Sequence, residues 1–253
     1  MNAQPIENSG IDPSEPELLV GSYNVHKGVG GDMRRDTRRT IEVIREIGAD
    51  LVALQEVDRR FGDRKGVIDL AHLQDATGLA PVPLPLRLGS LAHGWHGNLL
   101  LFRGAEIEDV NAITLPGLEP RGAIVCDLRF AGRPLRVIAA HLGLLHQSRL
   151  IQARRLAQEI EAAKDRPTLV MGDLNEWRLG ARCSLMPLRK QLRAVKRSAT
   201  TAASFPARLP VLPLDRIIGC NRAELLELVT HDTPLSRQAS DHLPIKARLR
   251  LPE

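Results

Sequence analysis

The stretch TLVMGDLNEW, residues 168–177, runs from four mostly apolar residues into Gly172, Asp173, Asn175 and Glu176. A short apolar run such as Thr168 to Met171 suits a strand buried on both faces. A carboxylate at its end costs free energy unless it is paired or bound to a metal. The pattern recurs in SYNVH (Ser22 to His26), ALQEVD (Ala53 to Asp58), IAAHLG (Ile138 to Gly143) and SDHLPI (Ser240 to Ile245). A sixth segment, PLDRI (Pro213 to Ile217), sets an aspartate inside an apolar run. One such residue is noise, but six on separate strands point to a shared site at one end of the sheets.

Working outward, Leu18 to Asn24 reads as a strand that ends in a loop bearing Gly28, Gly30 and Gly31. Asp36 to Ile47 predicts a helix, with Ile41, Ile44 and Ile47 one turn apart and Gly48 as its C-cap. Leu51 to Gln55, Asn98 to Phe102, Gly122 to Phe130 and Leu135 to Ala140 read as strands, and Asp69 to Thr77 as a short helix. Pro81, Pro83 and Pro85 argue against a central strand between them. Gln147 to Ala163 predicts an amphipathic helix whose Leu150, Ala153, Leu156, Ala157 and Ile160 face one way. Three further strands are expected around Val211 to Ile218, Glu224 to Val229 and His242 to Leu249. Strands that follow one another without a helix between them are not a simple alternating βα fold. They predict an α/β (α+β) architecture with two sheets packed face to face and helices outside. Residues 1–16, polar and proline-bearing, read as a flexible lead-in, and residues 17–253 as a single domain.

A chain of 253 residues can bury a sizeable core without staples. Aromatics are only 3%, little material for a base-stacking platform. The net charge of +5 favours anionic partners: phosphate esters, nucleic acid or anionic phospholipid. Cys126, Cys183 and Cys220 form no CxxC pair, which suits a reducing compartment. With no visible signal peptide and no apolar run of membrane-spanning length, a cytoplasmic location is the expectation. Oligomeric state is not legible.

Glutamate, aspartate and asparagine oxygens are hard ligands suited to Mg²⁺ or Mn²⁺, and histidines move protons near neutral pH. HExxH, GxSxG and GxxxxGK[ST] are all missing, which argues against a zinc protease, an α/β-hydrolase serine and a P-loop.

In order along the chain, YNVH, LQEVD, GNLLLFR, AAHLG, GDLNEW, LDRI and SDHLPI resemble the endonuclease/exonuclease/phosphatase superfamily from about Leu18 to Leu249. The resemblance implies a four-layer sandwich of two central mixed β-sheets flanked by helices. It implies a Mg²⁺- or Mn²⁺-dependent phosphoesterase, with Glu56 as principal metal ligand and Asn24 and Asp241 completing the site. Asp173 would orient or deprotonate the attacking water. Asn175 and His141 would hold the phosphate oxygens, and His242, oriented by Asp215, would hydrogen-bond the phosphate or transfer a proton. His26, Asn98 and Arg121 are the candidate substrate contacts.

The chain also departs from the nuclease branches of that superfamily. His26 stands where abasic-site nucleases carry an acidic residue, and GWHGNLLLFR lacks the glutamate that partners a histidine in pancreatic-type deoxyribonucleases. YNVHKGVG and HGNLLLFR look closer to a bacterial branch of metal-dependent hydrolases. Three readings therefore stay open: a phosphodiesterase or phosphomonoesterase, a DNA or RNA nuclease, and a non-catalytic binding module. Arg34, Arg35, Arg38 and Arg39 read either as a basic lip or as a solvated helix face, and Arg59, Arg60, Arg64 and Lys65 would stand at the mouth of the site.

Overall fold

The computed structural model describes residues 17–60, 62–85, 88–178, 180–191 and 202–252. The lead-in expected over residues 1–16 lies outside them. In chain order the elements are β1 (Glu17–Asn24), α1 (Thr37–Ile47), β2 (Leu51–Gln55), α2 (Leu70–Thr77), β3 (Ala80–Pro81) and β4 (Leu99–Phe102). There follow β5 (Ala105–Leu115), β6 (Arg121–Phe130), β7 (Arg133–His141), α3 (His146–Ala162), β8 (Thr168–Asp173) and α4 (Met186–Gln191). The chain closes with β9 (Asp215–Cys220), β10 (Glu224–Thr230), α5 (Pro234–Ala239) and β11 (Ile245–Arg250).

The strands form two sheets, ordered β10-β11-β1-β2-β4-β3 and β5-β6-β7-β8-β9. Both are mixed: β1 runs parallel to β2 and β7 parallel to β8, and the other pairs are antiparallel. This is the two-sheet sandwich that the resemblance implies. Period-two alternation builds it. Val20, Leu51, Ala53 and Leu100 of the first sheet pack against Cys126, Val137, Ala139, Leu169, Met171 and Ile217 of the second. The intervening residues Tyr23, Val52, Leu54, Leu99 and Leu101 face outward beneath α1, α2 and α5. Val125, Ile138, Ala140, Val170 and Ile218 face outward beneath α3 and α4.

Local chemistry sets the helix ends. The Asp36 carboxylate accepts from the Arg39 N–H at 3.1 Å, and Gly48 closes α1 at φ +67°. Asp69 and Gly78 do the same for α2.

Several elements differ from the sequence-based expectation, β3 and α4 among them, neither of which was expected. β5 was not expected, because a bulge between Ile107 and Asp109 breaks its alternation. Ile107 and Val110, three apart, therefore both pack on the core. The strand expected over Val211 to Ile218 runs from Asp215 to Cys220 instead, since Pro210 and Pro213 flank residues that cannot extend a ladder. The strand expected from His242 begins at Ile245, and Leu243 donates its N–H to the Ser204 carbonyl instead. α5, six residues long and closed by a Thr233–Ser236 capping box, is too short to show a helical period. On α3, Ala153, Leu156 and Ile160 are buried as expected, but so are Arg149 and Gln152, while Leu150 and Ala157 are only half-buried. Gln152 and Arg149 hold the loop after β7, through the Gly143 N–H and the Gly143 and Leu144 carbonyls.

Gly172 lets β7 and β8 close up. It sits at φ +145°, and a Cβ there would fall 1.8 Å from the Ala140 carbonyl oxygen. That oxygen is backbone and cannot swing aside. Gly172→Ala is expected to destabilise the protein by about 2–4 kcal/mol, read by urea or thermal unfolding. A variant as stable as the parent would refute this account of the strand pair.

Candidate active site

The inward parity that fills the sandwich continues into its polar end. Val20 is followed on the same face by Ser22 and Asn24, Val137 and Ala139 by His141, and Leu169 and Met171 by Asp173. In β9, Asp215 precedes Ile217 on that face. Register then sets three of these side by side, His141 opposite Asp173 and Asp173 opposite Asp215. From the first sheet come Asn24, Glu56 just past β2, and the Ser240–His242 segment leading towards β11.

Asp173 is the meeting point, and it is 1% exposed. Its Oδ2 accepts from Asn24 Nδ2 at 3.0 Å and lies 3.4 Å from His141 Nε2 and 3.8 Å from His242 Nε2. Its Oδ1 accepts the Asn175 N–H at 3.0 Å. Asn175 itself takes φ +52° and donates Nδ2 to the Leu142 carbonyl. Asp215 is fully buried. Its Oδ2 accepts from His242 Nδ1 at 2.8 Å and from Ser204 Oγ at 2.5 Å. Arg216, its chain neighbour, donates to the Asp215 and Glu176 carbonyls and not to the Asp215 carboxylate.

The two histidines are tuned in opposite directions. Burial pushes His141 down to about 3, and the Arg121 guanidinium adds to the effect against the pull of Asp173. Arg121 donates from Nη1 to His141 Nδ1 at 3.1 Å. An arginine only donates, so Nδ1 is the acceptor and the proton of neutral His141 sits on Nε2, toward Asp173. Burial would lower His242 as well, but Asp215, Asp173 and Asp241 outweigh it and raise the imidazole to about 10. These carboxylates favour the charged imidazolium of His242.

Glu56 and Asp241 flank the His26–Lys27 turn. Glu56 takes φ +58°, and its carboxylate is ion-paired with the Lys27 ammonium. Burial would raise its carboxyl, but Lys27, His26 and Arg121 hold it below the usual range. The Asp241 side chain is 42% exposed, with Oδ1 3.6 Å from His26 Nδ1. Asn24 Oδ1 accepts the His26 N–H.

Two of the candidate substrate contacts are tied into the scaffold. Asn98 is fully buried and donates Nδ2 to the Trp95 and Gly122 carbonyls, both at 3.0 Å. It thereby clamps the entry to β4 onto β6 and leaves Oδ1 as its atom without a partner. Arg121 is shared between His141 and Glu119, whose Oε2 accepts at 3.0 Å. His26 is half-exposed beside Asp241, with Nδ1 3.1 Å from the Val29 carbonyl.

Several residues here were not singled out from sequence. Ser204 lies in no motif and Ser240 heads SDHLPI without an expected role, yet Ser204 caps Asp215 and Ser240 Oγ donates to the Asn24 carbonyl at 2.7 Å. Glu119 stands two residues before Arg121 and also accepts the Leu144 N–H. Lys27 follows the YNVH motif directly, and that adjacency was the available signal.

Among the described residues one group of acidic and histidine side chains lies close enough to hold a metal. Asp173, Asp215 and His242 offer ligand atoms within 4.8 Å of one another. There, however, His242 Nδ1 and Asp215 Oδ2 are already hydrogen-bonded to each other at 2.8 Å. Glu56, Asn24 and Asp241 offer hard oxygens, and Glu56 already holds a cation, the Lys27 ammonium. This donor chemistry fits Mg²⁺ or Mn²⁺.

Among the described residues no helix is long and apolar enough to cross a membrane. The chain is similar to solved structures of low sequence identity. An endonuclease/exonuclease/phosphatase from Beutenbergia cavernae is 20% identical, with a TM-score of 0.68, over 93% of this chain and 72% of that one. The mannosyl-6-phosphatase Bt3783 of Bacteroides thetaiotaomicron is 15% identical, with a TM-score of 0.68, over 92% and 99%. Danio rerio TDP2 complexed with a single-strand DNA product is 17% identical, with a TM-score of 0.64, over 92% and 98%. At such identities these likenesses speak to the fold. Among curated proteins no relative matches. The sequence profile of the endonuclease/exonuclease/phosphatase family matches residues 21–242, and the chain belongs to that family.

Proposed function

We propose that the protein is a Mg²⁺-dependent phosphoesterase that cleaves a phosphodiester or phosphomonoester by attack of water. The observation that carries this reading is the convergence of Asn24, His141 and His242 on one oxygen of Asp173. Asn24 Nδ2, His141 Nε2–H and the His242 imidazolium are all donors, so Asp173 is the acceptor among them. That makes Asp173 the residue to take the proton of the attacking water. His242, fixed by Asp215, would donate to a non-bridging phosphate oxygen, and His141 and Asn175 would help to hold the others as charge develops. Glu56, Asn24 and Asp241 would hold the metal. When bound it neutralises phosphoryl charge and lowers the pKa of a water.

Asp173→Asn is expected to lower turnover of bis-p-nitrophenyl phosphate or p-nitrophenyl phosphate in Mg²⁺ by about 10²–10⁴-fold in protein that circular dichroism shows to be folded. A folded Asp173→Asn protein of full activity would sink the assignment.

The opposed histidines make a second expectation. In the unfolded chain both titrate near 6.5. The folded His242 keeps its proton to about 10, so its contribution to stability is complete below 6.5 and is lost as pH rises towards 10. The folded His141 refuses a proton down to about 3, so stability falls as pH drops from 6.5 towards 3. Asp215→Asn should flatten the alkaline decline in urea-unfolding free energy and leave the acid one. An unaltered alkaline limb would contradict the pairing.

A nuclease reading is favoured by one feature. Arg34, Arg35 and Arg38 are exposed after the Asn24 loop, where a polynucleotide backbone would find unscreened guanidinium groups. Nicking of supercoiled plasmid in Mg²⁺, abolished by EDTA and by Asp173→Asn and falling steeply with salt, is its expected signature. Absence of nicking by protein that turns over the small esters would exclude it.

A further inference from the structure

Four cations line the small cavity beside Glu56 and His141: Lys27, Arg60, Arg64 and Arg121. Three are paired with carboxylates other than Glu56. Arg64 grips Asp58 through Nε and Nη2 at 3.0 and 3.1 Å, and Arg60 and Arg121 share Glu119 at 3.6 and 3.0 Å. Lys27 is different, because the carboxylate it holds is Glu56, the principal ligand of the proposed metal site. The backbone enforces this meeting. Lys27 donates its N–H to the Glu56 carbonyl at 3.1 Å, and both residues take left-handed backbone angles, φ +56° and +58°. Non-glycine residues adopt such angles only where surrounding structure requires them, and they cluster at working sites.

Given the phosphoesterase reading, which this step rests on, we infer that Lys27 is the resident counter-ion of Glu56 and moves between two anions. It neutralises Glu56 while no divalent cation is bound. A divalent cation on that carboxylate repels the ammonium and leaves it without a partner. The cavity, about 40 Å³, has room for an ammonium or a water and not for a substrate. A lysine stem has four carbons and rotates freely, so the displaced ammonium can turn to a phosphoryl group held beside His141. The phosphoryl anion thus takes up the charge that the metal releases. Metal and anion then bind cooperatively, each strengthening the other by the same factor, as linkage requires.

The test reads Mn²⁺ affinity by the electron paramagnetic resonance signal of the free ion, with and without inorganic phosphate and with a protein-free blank. It uses the wild type, Lys27→Met and Glu56→Gln. The wild type is expected to bind Mn²⁺ weakly and to gain about tenfold with phosphate. Lys27→Met should bind about tenfold more tightly than the wild type without phosphate, and phosphate should add little. Wild-type Mn²⁺ affinity in Lys27→Met, or a full phosphate effect retained there, overturns the proposal. Glu56→Gln separates the two readings. If it binds Mn²⁺ as the wild type does, the metal site itself is wrong and the proposal falls with it. If it loses Mn²⁺ while Lys27→Met matches the wild type, the metal site stands and only the counter-ion role fails. Should Lys27→Met fold poorly, Lys27→Gln, which keeps a polar side chain, is read in the same way.

Discussion

The hydrogen bond from Asn24 Nδ2 to Asp173 Oδ2 joins the two sheets at the end where their apolar filling runs out. Below it the sheets meet through aliphatic residues, and above it they meet through donors and the carboxylates of Asp173 and Asp215. A second bond, from His242 to Asp215, makes the same crossing. Buried polar groups persist only when they are satisfied. Asp173 Oδ2 and Asp215 Oδ2 each accept from a partner drawn from the other sheet, while Asp215 Oδ1 is left buried without one, so the packing of the sandwich and the geometry of the site are one constraint. Displacing one sheet against the other would leave a buried carboxylate unpaired, which is far costlier than losing a surface ion pair.

The same low-dielectric end separates two imidazoles that start with the same affinity for protons. His141 is kept neutral by burial, with Arg121 adding to the effect. His242 faces Asp215, Asp173 and Asp241 and is kept charged. Glu119 stands behind the first arrangement, because it holds Arg121 in place while also accepting from the Leu144 N–H. Opposed environments of this kind divide donor and acceptor roles among chemically similar side chains.

Some of the molecule's strained backbone lies at the same place. His26, Lys27, Glu56, His96 and Asn175 all take positive φ, and all lie in loops that leave the site end of the sheets. Each turn aims a side chain where a strand would have carried it past the site. The bulk of the protein, regular and apolar, offsets such local cost.

The alternation within each strand, the caps at Asp36 and Gly48 and the residue types gathered at the strand ends were legible because each is a local property of a few neighbouring residues. β5 was hidden by its bulge, and α5 by its shortness. The sequence by itself determined which residues could do chemistry: Asn24, Glu56, His141, Asp173, Asp215 and His242 stand out as polar groups beside apolar runs. Only the tertiary structure decided what each one faces. Asn98 turned inward to two carbonyls, Lys27 came to rest on Glu56, and Ser204 and Glu119 joined without any motif. Those outcomes depend on register and on contacts between residues far apart in the chain, and no local pattern encodes which donor will meet which acceptor across the gap between two sheets.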